Sequence, residues 1–219
     1  RVAYVMHTQP IDDNGTDIPA LIGALAPECQ VIFSHQKLDN KQMNFLYNIS
    51  DVTMNLASNE GFGLGTCESI MCGTPIIVNV TGGLQDQAGF KVKDKLLTSE
   101  DYKEIKSLHD WKKWEHNEEL TWGEWCKPVW PKTRSLMGSV PTPYIFDDRC
   151  DWEDAGNAIK QWYEMGKESR KECGLKGHEF AKGDESMQSV RWMGKNFINH
   201  METAFEKWTP RKRIHTYKV

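Results

Sequence analysis

Two glutamates, Glu60 and Glu68, bracket the run Gly61-Phe62-Gly63-Leu64-Gly65-Thr66, in which three of five successive positions are glycine. Glycine lets the backbone approach a ligand with no Cβ in the way. If a helix starts here, its first free N–H groups and its dipole favour an anion in the same place. Such a turn suits a phosphate. A carboxylate beside it cannot serve the phosphate, because like charges repel; it accepts hydrogen bonds from hydroxyls, each charge-assisted bond worth roughly 1.5–3 kcal/mol. Two acids flanking an amide-lined phosphate turn therefore fit a nucleotide-sugar, whose ribose diol and hexose lie on either side of a diphosphate. The dinucleotide fingerprint G-x-G-x-x-G fails here: its third glycine position holds Glu68 counted from Gly63, and Thr66 counted from Gly61. The P-loop pattern G-x-x-x-x-G-K-[ST] is absent.

The segments around this turn read as the frame that would hold it. VAYVMH (2–7) and VIFSH (31–35) are short, β-branched apolar runs that suit buried strands. TDIPALIGALA between them has helical spacing, with Asp17 or Thr16 as cap, and a second helix opens on Asp39 and sets Met43, Leu46 and Tyr47 on one face. DVTMNLA (51–57) is a further strand, LGTCESIMCG a helix stopped at Gly73, PIIVNV (75–80) a strand, and TGGLQDQ a helical turn. Strands alternating with helices through short connections predict a doubly wound parallel sheet covered on both faces. Ligands of such sheets bind where a strand turns into a helix, which is the position of the glycine run.

The alternation breaks at about 90–140, a stretch with five of the nine tryptophans (Trp111, Trp114, Trp122, Trp125, Trp130), and this stretch reads as an insertion. Packing of those rings into a small core of their own is favoured over an aromatic platform for a sugar or peptide. Helices return at about 151–208, the first capped by Asp151 and carrying the stripe Trp152, Ala155, Ile159 and Trp162; the tail TPRKRIHTYKV is basic. The whole of 1–219 is expected to be one domain.

A net charge of −4 gives no nucleic-acid signal, and no apolar stretch is long enough for a membrane span. The six cysteines contain no C-x-x-C pair and no zinc-like spacing to histidine, and Cys67 and Cys72 read as small core residues. Three sequons, at Asn14, Asn48 and Asn79, would burden a secreted chain, so a reducing cytoplasm is the simpler expectation.

The block YNISDVTMNLASNEGFGLGTCESIMCGTPIIVNVTGG (47–83) resembles the signature of retaining GT-B glycosyltransferases, the large family-4 group that includes relatives of sucrose and glycogen synthases. The clear resemblance covers about residues 1–90 and a weaker one runs through 144–182. It implies a Rossmann-like donor-binding domain, the C-terminal half of a GT-B fold. In that frame Glu68 would accept the ribose hydroxyls, and Glu60 would face the transferred sugar as the catalytic residue. Amides from Phe62 through Gly63, Leu64 and Gly65 to Thr66, next to Gly61, would hold the distal phosphate. His35, Gln36, Lys37 and Leu38 match the place where the base is cradled, and Gly82 and Gly83 match the glycine turn beside the donor pocket. The implied reaction is glycosyl transfer from a nucleoside diphosphate sugar to an acceptor hydroxyl of unknown identity, with retention and with no metal or other cofactor.

Two departures stand out. The Arg and Lys that neutralise the diphosphate in such enzymes have no counterpart in this sequence, and the acceptor-binding N-terminal half is missing from it. The chain is therefore expected to be part of a longer enzyme. A non-catalytic nucleotide-sugar-binding module, or a sugar-nucleotide epimerase or phosphorylase on the same frame, remain alternatives.

Overall fold

The computed structural model describes residues 2–13, 15–102, 108–138 and 144–210. The chain divides between Met43 and Asn44 into two compact units. In the first, β1 (Ala3–Met6) and β2 (Gln30–Phe33) pair in parallel, joined through α1 (Ile18–Leu25). Asp17 caps α1, its carboxylate accepting from the Ala20 N–H at 2.9 Å. The helix α2 (Asn40–Ile49) crosses the division. It opens on a reciprocal cap in which the Gln42 N–H donates to Asp39 Oδ1 at 2.8 Å and the Asp39 N–H to Gln42 Oε1 at 2.9 Å.

The second unit is built on β3 (Thr53–Asn55), α3 (Leu64–Met71), β4 (Ile76–Asn79) and the short α4 (Leu84–Gln87). All four residues of β4 are buried, which marks it as the central strand of a covered parallel sheet. Its alternating side chains split between two cores. Ile76 and Val78 pack with Ile70 of α3, while Ile77 packs on the opposite face. A hydroxyl ties α3 to the sheet, Ser69 Oγ donating to Thr53 Oγ1 at 2.8 Å, and Thr74 Oγ1, between α3 and β4, donates to the Tyr47 carbonyl of α2 at 2.7 Å.

The 90–140 stretch is not uniform. It opens with β5 (Lys91–Val92), β6 (Lys95–Leu96), α5 (Ser99–Tyr102), α6 (Leu108–Glu115) and β7 (Leu120–Thr121), with β5 pairing antiparallel to both β6 and β7. Then β8 (Cys126–Val129) rejoins the main sheet, parallel to β4, giving the order β3-β4-β8. The expected insertion therefore contains a strand of the central sheet. Lys127 and Pro128 hid it, because they interrupt the apolar run; Pro128 is tolerated because β8 is the edge strand among the described residues. Next, β9 (Pro131–Met137) and β10 (Ile145–Cys150) form an antiparallel ribbon with an irregularity between Arg149 and Cys150.

The tryptophans pack. Trp125 stacks on Phe180 with centroids 4.5 Å apart and donates its ring N–H to the Gln87 carbonyl at 3.0 Å. Trp130 lies 5.5 Å from Phe90, and Trp114 lies 6.4 Å from Tyr102. The side chain of Trp111 lies outside the described residues.

Three helices close the chain: α7 (Trp152–Met165), α8 (Lys167–Lys182) and α9 (Val190–Lys207). In α7 the buried stripe is Ala155, Ala158 and Trp162, and Trp152 stands exposed. Ala158, Trp162 and Cys173 of α8 cover the Ile77 face, whereas Phe180 of α8 joins the Ile70 core. Val190, Met193, Phe197, Met201 and Phe205 form an exposed apolar line along α9, none of whose residues is buried. No helix among the described residues is long and apolar enough to cross a membrane. Asn79, one of the sequon asparagines, is buried with its amide donating to the carbonyls of Ala57 and Asp148.

Candidate functional site

The chain leaves β3 and enters the glycine run, which turns sharply at Gly63. That residue has φ +85°, a left-handed conformation, and it caps α3 with no side-chain hydrogen bond. The first backbone bond of α3 runs from the Cys67 N–H to the Gly63 carbonyl at 3.1 Å. The N–H groups ahead of Cys67 have no helical carbonyl to reach. They and the helix dipole form an electropositive edge at the carboxyl end of a parallel strand.

The turn's carbonyls, by contrast, are held from behind. Gln87, fully buried on α4, donates its amide to the Phe62 carbonyl at 2.5 Å and to the Gly63 carbonyl at 2.9 Å. Thr66 Oγ1 adds a bond to the Gly63 carbonyl at 2.9 Å. The Thr66 side chain is thus buried and committed to the turn, so only its amide can meet a ligand. Phe62 and Leu64 expose their side chains.

The second glycine turn packs directly on the first. The Gly83 N–H donates to the Glu60 carbonyl at 3.1 Å. A Cβ on Gly82 would run into that same carbonyl oxygen, and one on Gly83 would come within 2.5 Å of the Phe62 Cα. Glycine is required here by proximity, and the two sequence turns become one platform.

Glu68 lies on α3 with its carboxylate exposed, and the Tyr47 hydroxyl donates to its Oε2 at 3.0 Å. Burial, helped by the bond to Glu68, pushes the Tyr47 hydroxyl well above the ordinary phenol value, so it stays a donor. Glu60 is half-buried at the junction of the two turns. The structure thus brings together Glu60, Gly61, Phe62, Gly63, Leu64, Gly65, Thr66, Glu68, Gly82 and Gly83.

His35, Gln36, Lys37 and Leu38 belong to the first unit. There His35, Gln36 and Lys37 line a recess with His7, Thr8, Gln9 and Ser34, and His7 Nδ1 lies 3.0 Å from Ser34 Oγ. Leu38 is half-buried beside them in sequence.

Two side chains that hold the candidate site in place were not visible in the sequence. Tyr47 read only as part of a helix face, yet it orients Glu68. Gln87 read as one polar residue in a short helical turn, yet it fixes both carbonyls of the glycine run. A glutamine at a helical position that faces a core was the one available signal.

Residues 18–121 match the family model described as glycosyl transferases group 1. Among solved structures, the fold is similar to that of sucrose-phosphate synthase from Thermosynechococcus elongatus, with a TM-score of 0.52 and 18% sequence identity. That likeness covers 91% of this chain and 38% of the synthase chain, so this chain spans well under half the length of its structural neighbour. The architecture, parallel strands covered by helices, matches a GT-B fold. No curated protein matches the sequence.

Proposed function

We propose that the chain is the donor-binding half of a retaining, family-4-type GT-B glycosyltransferase. The observation that carries this reading is the platform itself: a helix start behind Gly63 with no side-chain cap and its amides free among the described residues, its carbonyls tied back by Gln87, with Glu68 held alongside by Tyr47. The match over residues 18–121 supports it.

The amides of Phe62 to Thr66 receive the distal phosphate of a nucleoside diphosphate sugar. Glu68 accepts the ribose hydroxyls, and Glu60 faces the transferred sugar. The bond from the anomeric carbon to the distal phosphate oxygen breaks, and the acceptor hydroxyl oxygen bonds to that carbon on the same face. The hydroxyl proton leaves with the diphosphate. Charge developing on the leaving group falls on fixed amides and a helix dipole, preorganised donors that need no metal. The acceptor is held together with a further half of the enzyme.

Thermal unfolding with UDP-, GDP- and ADP-sugars tests the reading. A ligand at about 100 times its Kd adds roughly 2.7 kcal/mol, a rise of several degrees at about 2–4 °C per kcal/mol. The rise is expected with one nucleotide family and is lost in Glu68→Ala. No rise with any of them, or an undiminished rise in Glu68→Ala, contradicts the assignment.

A further inference from the structure

One side of α9 is apolar along its whole length. Val190, Met193, Phe197, Met201 and Phe205 run down it, with Trp208 just past its end, and all six side chains are exposed. At 3.6 residues per turn they form a single stripe. Trp192 and Asn196, the half-buried residues of the helix, lie on the side away from it, so the stripe faces outward. Phe197, Phe205 and Trp208 are 65%, 76% and 70% exposed, which leaves roughly 100 Å² or more of each ring open. With the aliphatic members the patch is on the order of 500 Å², a size at which exposed apolar surface commonly serves an interaction.

The charges beside the stripe indicate what covers it. Arg191, Lys195, Glu202 and Glu206 stand exposed along one flank, and none of them forms an ion pair among the described residues. Lys195 rests its ammonium 5.5 Å from the Trp192 ring, a contact that leaves its charge unmatched. Their order is the reverse of what a lone helix favours. The macrodipole prefers acids near the N-terminus and bases near the C-terminus, yet Arg191 is in the first turn and Glu206 in the last; Lys207, which follows the dipole, lies on the other flank.

A second copy of α9 running antiparallel uses this order. A twofold axis at right angles to both helices sets the same flank of each side by side. Centred between Ile198 and Asn199, it brings Arg191 level with Glu206 of the second copy and Lys195 level with Glu202 of the second copy, and symmetry makes each pair twice. The same register sets Met193 against Phe205 and Phe197 against Met201 across the seam. A parallel pair would join opposite flanks instead, and the flank with Asn196, His200 and Lys207 offers no carboxylate to Arg191 or Lys195. An anionic membrane surface would meet Glu202 and Glu206.

We propose that α9 is a homodimer interface, in which two copies of the chain pack antiparallel through the stripe from Val190 to Trp208. Apolar burial supplies the affinity, and the flanking charges fix direction and register. The inference rests on α9 alone and is independent of what the glycine platform binds.

Sedimentation velocity of the 219-residue chain tests it. A dimer should form as concentration rises to about 100 µM, a hundred times a micromolar Kd. Arg191→Glu with Lys195→Glu makes the whole flank acidic; Glu202→Lys with Glu206→Lys makes it basic. Each double variant alone should dimerise at least about tenfold more weakly, roughly 1.4 kcal/mol. Mixed in equal amounts the two should form a heterodimer, and the fourfold reversal should restore self-association. Both double variants bring the helix into line with its dipole, so a lost dimer is not a lost helix, which far-UV circular dichroism confirms. Phe197→Ser, near the centre of the stripe and at an exposed position, should give a folded monomer. A parent chain that stays monomeric throughout overturns the proposal, and one that instead binds phosphatidylserine vesicles assigns the stripe to a membrane. A dimer indifferent to the charge reversals, or two double variants that fail to pair with each other, overturns it as well.

Discussion

Replacing Gln87 by methionine keeps the volume of a fully buried side chain and removes the amide that holds the glycine run. The two carbonyls do not suffer equally. That of Gly63 keeps the Thr66 hydroxyl at 2.9 Å and the Cys67 N–H at 3.1 Å. The Phe62 carbonyl has Gln87 as its one partner among the described residues. The substitution therefore orphans one acceptor, which costs about 1–3 kcal/mol. For a chain of this size that lowers Tm by roughly 2–12 °C at 2–4 °C per kcal/mol. Calorimetry of Gln87→Met against the unsubstituted chain reads it directly. Thr66→Val sharpens the test, because both side chains serve the Gly63 carbonyl. With both gone the loss should exceed the sum of the single losses by about 0.5 kcal/mol or more. A Gln87→Met chain within about 1 °C of the parent, or strict additivity in the double variant, would refute the claim that these bonds hold the turn.

Other consequences follow from the same geometry. Gly82→Ala places a Cβ against the Glu60 carbonyl at a residue with φ +49°; it should cost at least about 1–2 kcal/mol, and isothermal titration should show nucleotide-sugar binding lost even where the chain remains folded. Tyr47→Phe removes the donor at 3.0 Å from Glu68 and should weaken nucleotide-sugar binding by about threefold to tenfold, roughly 0.7–1.4 kcal/mol, with the UV-monitored melt shifted much less than in Gln87→Met. Asp86 has a buried Oδ1 without a partner among the described residues, and desolvation pushes its carboxyl up to about 6 from an ordinary 3.8. Between those values the folded chain keeps a proton that the unfolded chain has released, so this residue's effect is to lower stability as pH rises from about 4 to 6, and the deficit persists above. Urea unfolding should find Asp86→Asn more stable than the parent at pH 7.5, by at most about 3 kcal/mol, and the gain should vanish near pH 3.5.

What the sequence disclosed was local. The glycine run, the two glutamates and the strand–turn–helix around them are contiguous, and backbone geometry forces them to act together; β3, α3 and β4 fell where their patterns place them. The contacts that tune the site link distant residues. Tyr47 meets Glu68 across 21 positions and Gln87 meets Phe62 across 25, through pairings that only the packed fold creates. Arg134 and Asp148 carried no signal at all until the β9–β10 ribbon set them opposite one another. The strand β8 was missed because an edge position forgives a proline that a central strand would not. Trp152 misled for the opposite reason: its helical spacing is right, but it sits at the first residue of α7, where the helix has yet to reach the core.

The most direct test of the central claim is a crystal structure of the chain with a nucleoside diphosphate sugar that shifts its melting. The account predicts the distal phosphate within about 2.7–3.2 Å of N–H groups between Phe62 and Thr66, with the ribose hydroxyls on the Glu68 carboxylate. A diphosphate bound elsewhere, with those amides unoccupied and Glu68 in solvent, would contradict it.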